Sequence, residues 1–237
     1  MASLVKKWDD GGSLSVTYTG DKTGTAVLSS DETVFDRSTT LTYVGANKRI
    51  GQIVNQKGQY TRLEYIANKG TKYIDTGFAP NQDTRVVMDA QMLTTEIPNA
   101  IFFGSRYAAN LRSFMFFYQK AANVFLCDYG ASNNSRVTFD EIERTGRLSI
   151  DYNKNSITVN GIKKDHKAFT FQNEYSLYLF AGNLAGVPSW FNDAKLYSCK
   201  IYDNGKLIRD FIPCKNSAQK EGLYDMVTKA FFPLLDT

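Results

Sequence analysis

Histidine is nearly missing from this chain, with one copy, His166, and cysteine is scarce, with three. A lone imidazole cannot build a His-rich metal site. It also completes no nucleophile-base pair, because no serine or cysteine elbow accompanies it in Lys163-Lys-Asp-His-Lys167, which reads as an exposed, structural continuation of a hairpin. Cys127, Cys199 and Cys214 are odd in number and lack C-x-x-C spacing, which argues against a disulfide framework and a zinc site. Three buried thiols are the preferred reading, and a bridge between Cys199 and Cys214 over the C-terminal hairpin is the alternative. No dense Asp/Asn loop of the EF-hand kind offers a calcium site, so neither a metal nor a cofactor is expected.

Long apolar runs are also lacking. No stretch approaches the length that spans a bilayer, and Met1-Ala-Ser-Leu-Val-Lys-Lys-Trp8 has no uninterrupted apolar region of the signal-peptide kind. The expectation is synthesis in the cytoplasm, with no membrane partner. Net charge is small: 28 Lys and Arg against 24 Asp and Glu give +4, scattered along the chain. Without a basic stripe, nucleic acid is not an expected partner.

Aromatics are plentiful instead, with 16 Phe and 14 Tyr beside 2 Trp. Such side chains suit pleated, half-buried surfaces. Residues 13–57 alternate short strand-like pieces with turns at 20–24 and 45–47, and Leu14, Val16 and Tyr18 fall on one face, as do Leu41 and Tyr43. This pattern predicts a small sandwich of immunoglobulin type, marginal by itself and in need of support from a neighbour or from oligomerisation. Residues 1–12 mix Lys6, Lys7 and Trp8 with Asp9, Asp10 and two glycines, as a docking arm would, and residues 58–61 read as a linker.

From residue 62 to 237 the pattern predicts one larger domain. Val86, Met88 and Ala90 alternate with polar neighbours along a strand, while Ile101-Phe-Phe and Phe114-Met-Phe-Phe-Tyr118 are continuous apolar runs expected of strands buried on both faces. Residues 147–152 and 156–161 form the clearest hairpin, Tyr175 to Gly182 reads as a further core strand, and residues 195–202 and 206–214 make a closing hairpin around Asp203-Asn204-Gly205. Regular strands with no helical periodicity predict an all-β chain, a small immunoglobulin-like sandwich followed by a two-sheet jelly roll.

Two resemblances add to this. Tyr18-Thr-Gly-Asp-Lys-Thr-Gly24, Leu28-Ser-Ser-Asp31, Asp36-Arg-Ser38 and Ile53-Val-Asn-Gln56 resemble the immunoglobulin-like or BACON-like repeats of Bacteroidales proteins and their phages. Leu63-Glu-Tyr-Ile66, Tyr73-Ile-Asp-Thr-Gly77, Ile101-Phe-Phe-Gly-Ser-Arg106, Tyr178-Leu-Phe-Ala-Gly-Asn183, Lys195-Leu-Tyr-Ser-Cys-Lys-Ile-Tyr202 and Arg209-Asp-Phe-Ile-Pro-Cys214 resemble concanavalin A-like, laminin-G-like jelly rolls of phage structural proteins and gut bacterial surface proteins. The resemblance implies a non-enzymatic virion component, as in crAss-like phage head fibre, decoration or tail proteins. Its N-terminal part would attach to other virion proteins, capsid or fibre subunits, in a homo-oligomer, dimer or trimer. A carbohydrate-binding module of a bacterial surface protein is the alternative, and a glycoside hydrolase the weaker one.

Candidate site residues follow from sugar chemistry. Aromatic faces stack on pyranose C–H groups while amides and carboxylates bond hydroxyls, and Trp190 lies in a loop with Asn183, Asn192 and Asp193 close along the chain. Tyr107 and Arg106 are further glycan-binding candidates. A loop tryptophan serves equally to cover a core edge or an oligomer contact, so both readings stand. For hydrolysis, Glu141 and Glu143 in Asp140-Glu-Ile-Glu-Arg144 are the nearest carboxylate pair, but their spacing does not fit the two-carboxylate strand of retaining enzymes, and Arg144 and Arg147 flank them as ion partners in a solvated loop.

Overall fold

The structure, a computed structural model, describes the side chains of residues 34–36, 58–108, 111–131 and 135–237, and the strand backbone alone between residues 2 and 56 elsewhere. Two compact units emerge: Met1–Arg62 with Lys215–Gln219, and Leu63–Cys214 with Lys220–Thr237.

In the smaller unit, β1 (Ala2–Lys7), β2 (Ser13–Thr19) and β3 (Thr25–Ser30) form an antiparallel sheet, and β4 (Arg37–Gly45) pairs with β5 (Lys48–Gln56) from Arg37↔Gln56 to Gly45↔Lys48. Residues 2–7, read above as part of an arm, thus run beside β2 from Ala2↔Tyr18 to Lys7↔Ser13. Arm residues 8–12, the turns at 20–24 and 46–47, and the side chains of Leu14, Val16, Tyr18, Leu41 and Tyr43 lie outside the described residues. β6 (Tyr60–Arg62) follows the stretch read as a linker. That stretch is tied down: the Gly58 amide and the Thr61 hydroxyl donate to the Asp36 carboxylate at 2.9 and 2.7 Å, and Tyr60 exchanges backbone bonds with Val34 and Asp36.

The larger unit is built in chain order from β7 (Ile66–Asn68), β8 (Ile74–Asp75), β9 (Thr84–Met92), β10 (Asn99–Arg106), β11 (Ser113–Gln119), β12 (Val124–Gly130), β13 (Val137–Phe139) and β14 (Arg147–Tyr152). It continues through β15 (Ser156–Val159), β16 (Ile162–Asp165), β17 (Tyr178–Leu179), β18 (Gly182–Leu184), β19 (Val187–Ser189), β20 (Ala194–Asp203), β21 (Lys206–Asn216), β22 (Glu221–Asp225) and β23 (Ala230–Pro233). One sheet runs β13-β12-β11-β10-β17-β8, with β18 and β19 added at β10. The other runs β16-β15-β14-β9-β20-β21-β22-β23, with β7 on β20. β9 pairs antiparallel with β14 and β20, and β10 with β11 and β17, whereas β10 and β18 run parallel. The chain is all β, and this unit is a two-sheet sandwich of the jelly-roll kind.

The core follows from alternation. Val86, Met88, Ala90 and Met92 of β9, and Leu148, Ile150 and Tyr152 of β14, point inward from one sheet, and Phe102, Phe103, Phe114, Phe116 and Phe125 come from the other. Phe114 stacks on Tyr152 with ring centroids 4.7 Å apart and planes 18° from parallel, a cross-sheet contact worth about 0.5–1.5 kcal/mol beyond area burial. The Asn204-Gly205 turn closes β20–β21 with both residues at positive φ (46° and 76°), as a two-residue primed turn requires.

Three expectations change in detail. Tyr175 to Gly182 is not one strand: Phe180 adopts φ 67°, which breaks the run into β17 and β18. His166 is half-buried rather than exposed, its ring 4.6 Å from that of Tyr129, with Nε2 2.9 Å from the Asn153 carbonyl. All three cysteines are buried free thiols, and no bridge joins Cys199 to Cys214. Cys199 lies opposite Phe211, so Cys214 sits three residues further on, roughly 10 Å along a strand and beyond disulfide reach. Burial pushes the Cys127 and Cys214 thiols up to about 12 and Cys199 higher still.

Candidate functional site

The aromatic strands β10, β11 and β12 are buried on both faces, as their unbroken apolar runs predict. Their inner face joins the sandwich core. On the outer face Ile101, Met115, Phe117 and Leu126 form a second cluster, with Val124, Leu184 and Trp190 packed against it. That cover comes from a hairpin: β18 runs parallel to the end of β10 (Ser105↔Asn183, Arg106↔Leu184), turns through Ala185-Gly186 at φ 55° and 88°, and returns as β19.

Trp190 follows β19 with φ 55°, a conformation rare for a bulky residue and costing about 1–3 kcal/mol. The surrounding bonds hold it there: its carbonyl accepts from the Ile101 amide at 3.0 Å, and its ring lies 5.9 Å from that of Phe117. The Arg106 guanidinium sits 5.3 Å from the centre of the indole, a cation–π distance. Beyond Arg106, Tyr107 stacks on Tyr175 at 6.1 Å, with the Arg112 guanidinium 4.6 Å from its ring and paired in turn to Glu174 at 2.7 Å. Two apolar side chains stand out to solvent on the same two connections, Val187 in the hairpin and Leu111 after Tyr107.

The other candidates support the hairpin from within. Asn183 is buried; its amide donates to the Ser176 carbonyl at 3.1 Å and its oxygen accepts from the Gly186 amide at 2.9 Å, which pins the turn. Asp193 accepts from the Gly70 amide at 2.7 Å. Asn192 is wholly buried, its backbone bonded to Phe180 and to the Asn68 amide, while both atoms of its side-chain amide lack a partner among the described residues. Trp190 and Arg106 therefore meet, Tyr107 follows Arg106 in the chain and packs on Tyr175 and Arg112, Asn183 pins the hairpin, and Asn192 and Asp193 bond to Phe180, Asn68 and Gly70 instead.

Sequence reading missed the polar groups of the outer face. Asp128 is buried and accepts both prongs of Arg136, at 2.8 and 3.0 Å. Ser113 is buried too, and its hydroxyl has no partner among the described residues. Strand alternation was the available signal: with Phe114 and Phe116 inward, Ser113 must point outward with Met115 and Phe117. Burial pulls the Arg106 guanidinium below its usual value, Asp128 opposing this and Arg136 adding to it.

Two other places complete the picture. Glu141 and Glu143 lie in the loop between β13 and β14, as expected, around the buried Ile142. A hydrogen bond from Lys164, 2.8 Å away, holds the Glu141 carboxyl down to about 2, and Arg144 turns to the carbonyls of Asn123 and Asp140 instead. A cleft of about 280 Å³ opens beside Asp83, Arg85, Lys154 and Tyr202, and its charges are already matched, Arg85 with Asp151 and Lys154 with Asp83.

No protein-family model matches the chain, and no curated protein matches it. Among solved structures, the CBM40 of the Ruminococcus gnavus IT-sialidase is similar, at 13% identity and a TM-score of 0.43 over 60% of this chain and 90% of that one. A likeness of that size carries no argument about the site.

Proposed function

We propose that the larger unit is a non-enzymatic saccharide-recognition module whose contact surface is centred on Trp190 and Arg106, with Tyr107 next to Arg106 in the chain. The observation that carries it is the strained Trp190 backbone, which holds the indole in place beneath the Arg106 guanidinium. Strain of this kind persists where the surroundings over-determine it, and such positions cluster at ligand sites. An immobilised aromatic ring binds a sugar face with little further loss of conformational freedom. A glycan array with the wild-type chain and Trp190→Ala tests this. Binding by the wild type, weakened at least tenfold in the variant, supports the module; no glycan bound by either protein ends it.

The virion reading is compatible with this and rests on the resemblance of both units to phage modules. In it the smaller unit attaches to capsid or fibre subunits and the larger carries the saccharide surface outward. Mass spectrometry of purified phage particles decides the matter, and absence from them ends that reading.

A further inference from the structure

Arg106 differs from the other arginines of the larger unit. Arg85, Arg112, Arg136 and Arg147 are paired to Asp151, Glu174, Asp128 and Asp89. Arg144 and Arg209 donate to backbone carbonyls. Arg106 alone has neither a carboxylate nor a carbonyl acceptor among the described residues, although it is half-buried against Trp190. None of its five N–H donors has a protein acceptor among the described residues, and the part of the guanidinium turned away from solvent gains no hydrogen bond there to offset its desolvation.

A second group on the same face is unsatisfied. The pairing Ser105↔Phe114 places the next residue, Arg106, opposite Ser113, whose buried hydroxyl lacks a partner among the described residues. Asp128, the carboxylate within electrostatic reach, is already held by both prongs of Arg136. Arg106, Arg136 and Asp128 together leave one positive charge over, beside an aromatic ring.

We infer that the saccharide bound at this surface is an acidic one, with Arg106 gripping a carboxylate or sulfate while the Trp190 indole takes the adjoining apolar face of the sugar. The inference rests on the saccharide-recognition reading and narrows it. A planar guanidinium fork matches a carboxylate in two parallel bonds and a sulfate oxygen pair nearly as well, so the shared chemistry is an oxyanion on a pyranose.

The test is calorimetric titration of the full chain with four probes: a uronic-acid oligosaccharide, the same chain with its carboxyls reduced to alcohols, a sulfated galactose oligosaccharide, and that chain desulfated. We expect at least one acidic probe to bind tenfold or more tighter than its neutral partner, the two pairs showing which oxyanion is read. Arg106→Gln removes that preference, and Arg106→Lys, which keeps the charge but not the fork, retains part of it. Raising salt weakens the acidic probe and leaves the neutral one unchanged. Thermal melting of each variant at the wild-type temperature establishes that lost preference is not lost folding. Equal binding of acidic and neutral probes, with Trp190→Ala still abolishing both, overturns the acidic specificity and leaves the recognition module standing. Binding of none of the four by the wild type overturns the acidic specificity, and an empty glycan array beside it overturns the module as well.

Discussion

Among the arginines of the larger unit that lie against aromatic rings, Arg147 and Arg106 have surroundings that separate a contact that holds structure from one that is open to a ligand. The Arg147 guanidinium is 3.8 Å from the Tyr197 ring centre and forks onto Asp89 with both bonds at 2.7 Å. Tyr197 itself donates to Gln91 at 3.1 Å, and its ring meets that of Tyr65 at 5.5 Å. Two arms of the Arg147 guanidinium and the Tyr197 hydroxyl thus have acceptors on β9 of the same sheet. The Arg106 guanidinium is 5.3 Å from the Trp190 ring, with no acceptor of its own among the described residues and a left-handed residue holding the ring. Proximity of cation and ring is common to both; the missing anion is what distinguishes the second.

The largest effect that separates them is in binding. Tyr197→Ala should leave glycan affinity within twofold of wild type in the same array in which Trp190→Ala loses at least tenfold. Comparable losses in both variants would mean that the Tyr197 ladder shares the contact surface.

Next in size is the support beneath Trp190. Asn183→Leu removes the partner of the Ser176 carbonyl and of the Gly186 amide and should cost about 1–3 kcal/mol in urea denaturation, whereas Asn192→Leu removes amide atoms that have no partner among the described residues and should cost less than about 1 kcal/mol. An equal cost for both would show that Asn192 is satisfied by buried water.

Smallest is the worth of the two cations to folding. Both prongs of Arg147 are matched at a partly exposed site, so Arg147→Gln should lose about 0.2–1 kcal/mol. Arg106→Gln removes a half-buried charge that has no carboxylate or carbonyl partner among the described residues, and should be neutral or stabilising in the same denaturation series. A loss at Arg106 as large as that at Arg147 would make it a structural cation and blur the contrast.

Much of the architecture was legible because burial on one or both faces writes itself into strand alternation. Val86, Met88 and Ala90 on β9, the hairpin closing at residues 153–155, and the Asn204-Gly205 turn all sit where period and turn chemistry place them. The Ala185-Gly186 turn was harder, since alanine at φ 55° gives no turn signal of the Asn-Gly kind and the segment reads as a loop. Phe180 hid its break in the same way, inside an apolar run. At the candidate site, Trp190 and Arg106 were visible singly. Their contact depends on the parallel pairing of β10 with β18, which brings together residues far apart in the chain and leaves no local pattern. Asn183 and Asn192 look like surface amides in sequence, and only the hairpin's packing buries them. Asp128 and Ser113 went unnoticed because polar residues inside apolar runs read as edge positions until the outer face is seen to be covered.

The ladder between β9 and β20, from Ala194↔Met92 to Asp203↔Thr84, has a consequence for how the chain reaches its native state. About a hundred residues separate these two central strands, so the sheet's middle closes through one of the longest loops available to the unit. Topologies dominated by such distant pairing fold slowly, on the scale of milliseconds to seconds. During synthesis the Phe-rich segments β10 to β12 emerge well before β20, while the opposing sheet that buries them still lacks its central strand. Nascent chains short of residue 194 should therefore be sticky and dependent on chaperones, and expression yield should respond more to slowed translation or cooler growth than to mutations that raise the final stability.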